Sequence, residues 1–166
     1  MHIFRVLFHL LLISSFIFLI GCNTHEENAA IKAARGYKTT EFNLDVLDAS
    51  SPERIEKQMQ STESYLTEEY YYEQYDSKNI SLPLQIAEKE KALLSTKDLK
   101  FNVKNNNGKR IIINYSFKLS IQNKETSENK HIDIEGLLTL EESKGNWLIQ
   151  KDDYNIDELK MLLSDK

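Results

Sequence analysis

His131, Asp133 and Glu135 are the first residues whose types and spacing suit chemistry. In an extended chain they share one face, with about 7 Å between neighbours. A histidine between carboxylates can act in acid–base catalysis or hold a metal, provided the group stands in a concave pocket. Ile132 and Ile134 take the opposite face, so the triplet is expected to point to solvent. Asp153-x-Asn155-x-Asp157 begins like a calcium loop. Its sixth position is Glu158 rather than Gly, and its twelfth is Ser164 rather than Glu, so the two most demanding positions fail. Asn155 or Asp157 is expected to cap a helix instead. Tyr65, Tyr70, Tyr71, Tyr72 and Tyr75 form a dense aromatic run. Three consecutive tyrosines on a helix cannot all face inward. The five are a candidate contact surface, since tyrosine combines an apolar body with a polar tip; the competing reading is that Tyr71 and Tyr75, or Tyr70 alone, are core and the others half-exposed. Phosphate-cradling glycine loops and nucleophile elbows are absent. No catalytic, cofactor-binding or metal site is expected from spacing.

The chain has 166 residues and one cysteine, Cys22, which excludes an intrachain disulfide and a Cys-cluster zinc site. Acidic residues outnumber basic ones, 26 to 21, and the formal charge of -5 argues against a nucleic-acid partner. Arg5 is the only fixed charge in residues 1–22, so the rest of the chain is more acidic than the average. Val6 to Ile20 is an uninterrupted stretch without Asp, Glu, Lys or Arg. As a helix it would span roughly 22 Å, short of the ~30 Å hydrocarbon core but right for a signal-peptide core. Leu19-Ile20-Gly21-Cys22 resembles a bacterial lipobox, with Ile in a place more often held by a small residue. The resemblance implies a signal peptide over 1–21, cleavage after Gly21, and a diacylglycerol on the Cys22 thiol, with palmitate as the expected kind of acyl chain. Two acyl chains hold a protein stably at a membrane where one does not. An uncleaved transmembrane anchor is the competing reading, and both place the remainder on the extracytoplasmic face of the cell membrane. The Lys-, Asn- and Ile-rich, Gly- and Pro-poor composition leans towards a Gram-positive source.

These features must be carried by elements. Residues 22–28 form the lipidated cysteine and a short tether reaching roughly 20 Å. Ala29, Ala30, Ala33, Ala34 and Tyr37 make one helical stripe. Ser50-Ser51-Pro52-Glu53 starts a second helix with Ile55, Met59 and Leu66 on its apolar face, restarted at Thr67-Glu68-Glu69 through Tyr75. Leu82 to Leu94 predicts a third. After Ser95 the hydrophobic period changes from 3.6 to 2, and Ile111, Ile113, Tyr115, Phe117, Leu119 and Ile121 share one face. Turns at Asn105–Gly108, Asn123–Lys130 and Ser143–Asn146 divide this region into four strands. A short helical tail occupies 155–166. Segregated helices and strands with one apolar sheet face predict an α+β domain over 29–154, with N-terminal helices packed on a four-stranded antiparallel meander.

This order, with the closing hairpin Gly136-Leu137-Leu138-Thr139-Leu140 … Gly145-Asn146-Trp147-Leu148-Ile149, resembles the NTF2-like (cystatin-like) superfold. The resemblance implies helices in the concave side of a curved sheet, and it covers scaffolds, ligand-binding proteins and a few enzymes, among which fold alone does not choose. The expected function is a non-enzymatic binding or scaffolding module for another envelope protein. The alternatives are small-ligand capture in the cone between helices and sheet, lined by Tyr115, Phe117 and Trp147, and an NTF2-like enzyme.

The lipobox reading predicts that a metabolic lipid label enters the wild-type protein and is lost in Cys22→Ala. Equal labelling of the two would refute it.

Overall fold

A strand with water on one side and a core on the other must alternate, and residues 113–119 do so in both polarity and burial. The computed structural model describes residues 25–45 and 51–164. The expected signal peptide, Cys22 and the first residues of the tether lie outside them. The strands are β1 (Ala92–Asn106), β2 (Arg110–Asn123), β3 (Asn129–Ser143) and β4 (Asn146–Tyr154), in one antiparallel sheet of order β1-β2-β3-β4. All six inward residues of β2 are buried, while Asn114 and Lys118 are exposed. Gly108 and Gly145 close two of the turns at φ 81° and 84°, where side chains are disfavoured. The Asn107 carboxamide oxygen accepts from the backbone N–H groups of Lys109 and Arg110, fixing the first turn.

Five helices are present among the described residues. They are α1 (residues 25–42), α2 (Pro52–Glu63), α3 (Glu68–Ser77), α4 (Leu82–Lys89) and α5 (Ile156–Leu163). With four of them preceding the strands, the fold is α+β. In α2, the Ser51 hydroxyl accepts from the Arg54 N–H and Pro52 opens the first turn. Thr67 caps α3 in the same way through the Tyr70 N–H. α5 packs on α4 with Leu159 fully buried, so the C-terminal tail shares the core. No described helix is long and apolar enough to cross a membrane.

Three local readings are corrected. Residues 25–28, expected in the tether, already belong to α1. Leu93 and Leu94, expected at the end of a helix, lie on β1. The helix stops at Lys89, Lys91 takes a positive φ of 47°, and Leu94 exchanges backbone hydrogen bonds with Leu44. Leu66, expected on the apolar face of α2, lies between α2 and α3 and pairs with β4: Ile149 donates to Tyr65 O at 2.7 Å and Thr67 donates to Ile149 O at 2.9 Å. This bridge covers part of the β4 edge. The β1 edge carries two register shifts together with Lys97, Lys100 and Lys104, features that discourage strand addition.

One irregularity decides what the sheet presents to the helices. Thr139 opposes Lys151 and Leu140 opposes Ile149, so Gln150 is an extra residue, a β-bulge. Before it, Trp147 and Ile149 face inward. After it the parity is reversed, and Asp152 and Tyr154 face inward, opposite Leu138 and Gly136. Gly136 also opposes Tyr115 on β2. A Cβ there would lie 2.6 Å from the Tyr115 hydroxyl oxygen and 2.7 Å from the Asp153 carbonyl oxygen. The missing side chain is the space through which Tyr115 crosses β3 to reach β4.

Gly136→Ala is therefore expected to cost about 1–3 kcal/mol, as overpacking does. Urea unfolding should show a lowered midpoint. An unchanged midpoint would mean that Tyr115 can turn aside freely.

Candidate functional site

Along α1 the inward stripe runs Ala30, Ala34, Tyr37, Lys38, Glu41 and Phe42, the i, i+4, i+7, i+8 pattern of one helix face. Two of these six residues are charged. Lys38 has no exposed surface and Glu41 is 2% exposed. Burial of that kind is tolerated only with partners. The Lys38 ammonium donates to Glu41 Oε2 at 2.7 Å and to Asp152 Oδ2 across the domain. Asp152 is part-exposed as a residue, but only through its main chain, and its carboxylate is fully enclosed. Its other oxygen, Oδ1, accepts from the Tyr115 hydroxyl at 2.8 Å. Gln58 on α2 donates to the carbonyl of Thr40 at 2.8 Å, tying α2 to the end of α1 that carries Glu41.

Aromatic rings close the remaining sides. The Lys38 nitrogen lies 5.0 Å from the ring centroid of Tyr37, 5.1 Å from Phe42, 4.8 Å from Tyr115 and 4.7 Å from Tyr154. Those distances are within the range of cation–π attraction. Phe42 packs on Phe117 at 5.2 Å and meets Tyr154 edge-on. Tyr70 of α3 completes the wall, 3% exposed. The Tyr37 hydroxyl has no hydrogen-bond partner among the described residues.

The electrostatics follow from one cation between two anions. Burial works against the Lys38 ammonium, but Asp152 and Glu41 outweigh it and raise its pKa. Lys38 stays charged and so lacks the lone pair a base or nucleophile needs. Burial pushes the Glu41 carboxyl up to about 7, against the opposing pull of Lys38. Asp152 is also raised, chiefly by burial, with Lys38 and the Tyr115 hydroxyl acting the other way. Burial raises Tyr37, Tyr70, Tyr115 and Tyr154, and the two carboxylates add to it, so these phenols remain protonated donors. The arrangement can lock α1 to the sheet and hold a proton near neutrality.

The residues singled out from sequence are distributed as follows. Tyr115, Phe117 and Trp147 are buried, at 3%, 3% and 7% exposure. All three belong to the hydrophobic core. The tyrosine run divides: Tyr70 is core, Tyr65 and Tyr71 are half-buried, and only Tyr72 and Tyr75 stand out, at 57% and 63%. Tyr70 therefore cannot contribute to an exposed contact surface. It shares the inner face of α3 with Gln74, and Tyr71 rests edge-on against Tyr72. His131, Asp133 and Glu135 are exposed on the outer face of β3. The Asn155 side chain bridges β3, accepting from the Glu135 N–H and donating to the Asp133 carbonyl, and makes no side-chain cap to α5. Among the described residues, no group of three or more His, Cys, Asp or Glu is placed to hold a metal.

Sequence reasoning missed Lys38, Glu41 and Asp152. The signal for the first two was present: the alanine stripe, continued by one helical period beyond Tyr37, lands on Glu41, with Lys38 beside it. Asp152 had none, because strict alternation in β4 places it outward.

No protein-family model matches the chain, and a comparison with curated proteins finds no match either.

Glu41 gives a signed pH dependence. Its folded pKa, about 7, lies above its ordinary 4.5. The folded state therefore binds more protons through this window, and stability is fully present below about 4.5 and lost as pH rises through about 7. The change is on the order of 3 kcal/mol. Lys38, Asp152 and the hydroxyls of Tyr37, Tyr70, Tyr115 and Tyr154 are the groups that face it. Glu41→Gln should flatten this dependence in melting curves taken between pH 4.5 and 8. Lys38→Met, which strands two buried carboxylates, should cost about 3–5 kcal/mol at pH 7 and less at pH 5. A pH dependence unchanged in Glu41→Gln would remove Glu41 as its source.

Proposed function

We propose that the chain is a membrane-anchored extracytoplasmic lipoprotein, held through Cys22, whose NTF2-like domain acts as a non-enzymatic binding or scaffolding module for another envelope protein. The observation that carries this reading is the state of the space between helices and sheet. Tyr37, Phe42, Tyr115, Phe117 and Tyr154 fill it together with the ion cluster. Ligand capture and NTF2-like catalysis both need that space open, with polar groups converging on a cavity of several hundred Å³. Here the polar groups converge on each other. A core organised in this way supports recognition by the outer surface, which rigid packing presents in one shape.

The surface has the residues for it. Tyr72 and Tyr75 are among the few large apolar side chains left exposed. Tyrosine is enriched where proteins meet, because it brings contact area with few rotors.

Photo-crosslinking side chains placed at Tyr72 and Tyr75, and at Thr40 on the opposite end of α1 from the membrane tether, test the reading in the organism's own cells. A discrete envelope-protein adduct from at least one position is expected. Adducts from none of them, with the protein lipidated and folded, would overturn the binding-module reading.

A further inference from the structure

A pocket of about 240 Å³ opens between the C-terminal half of α3 and the end of β4. We infer that it receives the arginine side chain of a partner protein, its guanidinium held by the Gln74 carboxamide and the Glu73 carboxylate. The inference rests on the binding-module reading and names one chemical group of the partner.

Gln74 is the unusual residue. It follows Tyr70 by one helical period on the inner face of α3, where packing alone would ask for an apolar side chain. It is 6% exposed, yet its side chain makes no hydrogen bond among the described residues. The Tyr37 hydroxyl is the one unpartnered side-chain polar atom among them that is closed off completely. Both polar atoms of the Gln74 carboxamide therefore keep access to the pocket it lines. A carboxamide so placed offers an acceptor oxygen and two N–H donors to whatever enters. Asn79 supplies a second carboxamide without a side-chain partner. It reaches the pocket because Lys78 ends α3 at a positive φ of 59° and turns the chain.

The charges select a cation. Glu73, Asp152 and Asp153 line the pocket against one basic residue, Lys151. Asp152 is matched by Lys38 inside the core, and Asp153 by Lys151 at 2.7 Å on the surface. Glu73 makes no ion pair among the described residues. The C-terminal end of a helix adds partial negative charge. The last turn of α3 holds no basic residue, and Lys78, next after it, does not line the pocket. A metal ion would find too few ligands, since no three of the described His, Cys, Asp or Glu side chains are placed to hold one.

Guanidinium fits this lining better than ammonium. Its planar fork of five N–H donors can reach a carboxylate and a carboxamide oxygen together, and its face stacks on aromatic rings. Tyr70 and Tyr154 supply rings in the wall. An ammonium is more strongly hydrated and gives up more on entering. Arginine is also enriched where proteins meet.

The test uses the isotope-labelled, lipidated full chain in neutral detergent micelles. It follows the side-chain amide signals of Gln74 and Asn79 by nuclear magnetic resonance. The probe is a capped alanine pentapeptide with arginine at its centre, compared with peptides carrying citrulline or lysine there. A saturable shift of both signals is expected with the arginine peptide. The citrulline peptide, of the same shape without the charge, should bind about tenfold more weakly, as a lost surface charge pair implies. The lysine peptide should also bind more weakly. Glu73→Gln should lose about tenfold for the arginine peptide, and Glu128→Gln, the same charge change on the β2–β3 turn, should lose none. Lys151→Met, which removes the competing cation, should strengthen binding. Gln74→Leu keeps the bulk of the side chain and removes the acceptor, and should weaken the arginine peptide when read at Asn79. Equal binding of the arginine and citrulline peptides, equal binding of the arginine and lysine peptides, or no saturable shift would overturn the assignment. Binding of free L-arginine without binding of the capped peptide would give the pocket to a free amino acid and overturn it too. Failure of the arginine peptide with crosslinks from Tyr72 or Tyr75 retained removes the pocket and leaves the binding module. Failure of both removes the module.

Discussion

An ammonium ion moved from water into a protein interior loses hydration worth several kcal/mol even after relaxation. Lys38 makes that move completely. Its compensation is gathered from several elements: Glu41 on its own helix, Asp152 from β4, and rings from α1, β2 and β4. None of these partners suffices alone. Burial, with the second carboxylate Asp152 adding to it, outweighs the pull of Lys38, so Glu41 is pushed towards neutrality rather than held ionised. The helix and the sheet can therefore meet in one arrangement only, because any other strands an ion without its counter-ions.

That requirement explains features of the sheet that a plain meander would not need. Asp152 faces the helix only because Gln150 is an added residue in β4. Tyr115 reaches Asp152 only because Gly136 offers no side chain between them. The bulge and the glycine are separate in sequence and belong to different strands, yet each serves the same contact. Neither improves the apolar packing of the strand that carries it.

A core of this kind bears on function through rigidity. The space between the helices and the sheet is occupied by rings and ions that satisfy one another, apart from the Tyr37 hydroxyl. Features of the outer surface are fixed by the same packing. The contact of Tyr65 with α1 is one, since Gly36 has no side chain in the way of its ring. The Tyr72 and Tyr75 side chains on α3 are another, on a helix anchored inward by Tyr70.

The sequence by itself determined the class of fold, the strand count and the inward face of β2. Those depend on periodicity, and period 2 and period 3.6 are properties of neighbouring residues. It also settled that Pro52 and Thr67 open helices, since caps are local. It placed Leu93 and Leu94 on the wrong element, because a short apolar run satisfies either period and only the pairing of Leu94 with Leu44 selects the strand. What the tertiary structure alone decided is the ion cluster. Lys38 and Asp152 are 114 residues apart, and a bulge in β4, invisible to alternation, turns the aspartate inward. A buried charge is stabilised by partners brought from elsewhere in the chain, so its place is set by the assembled fold and not by the residues beside it.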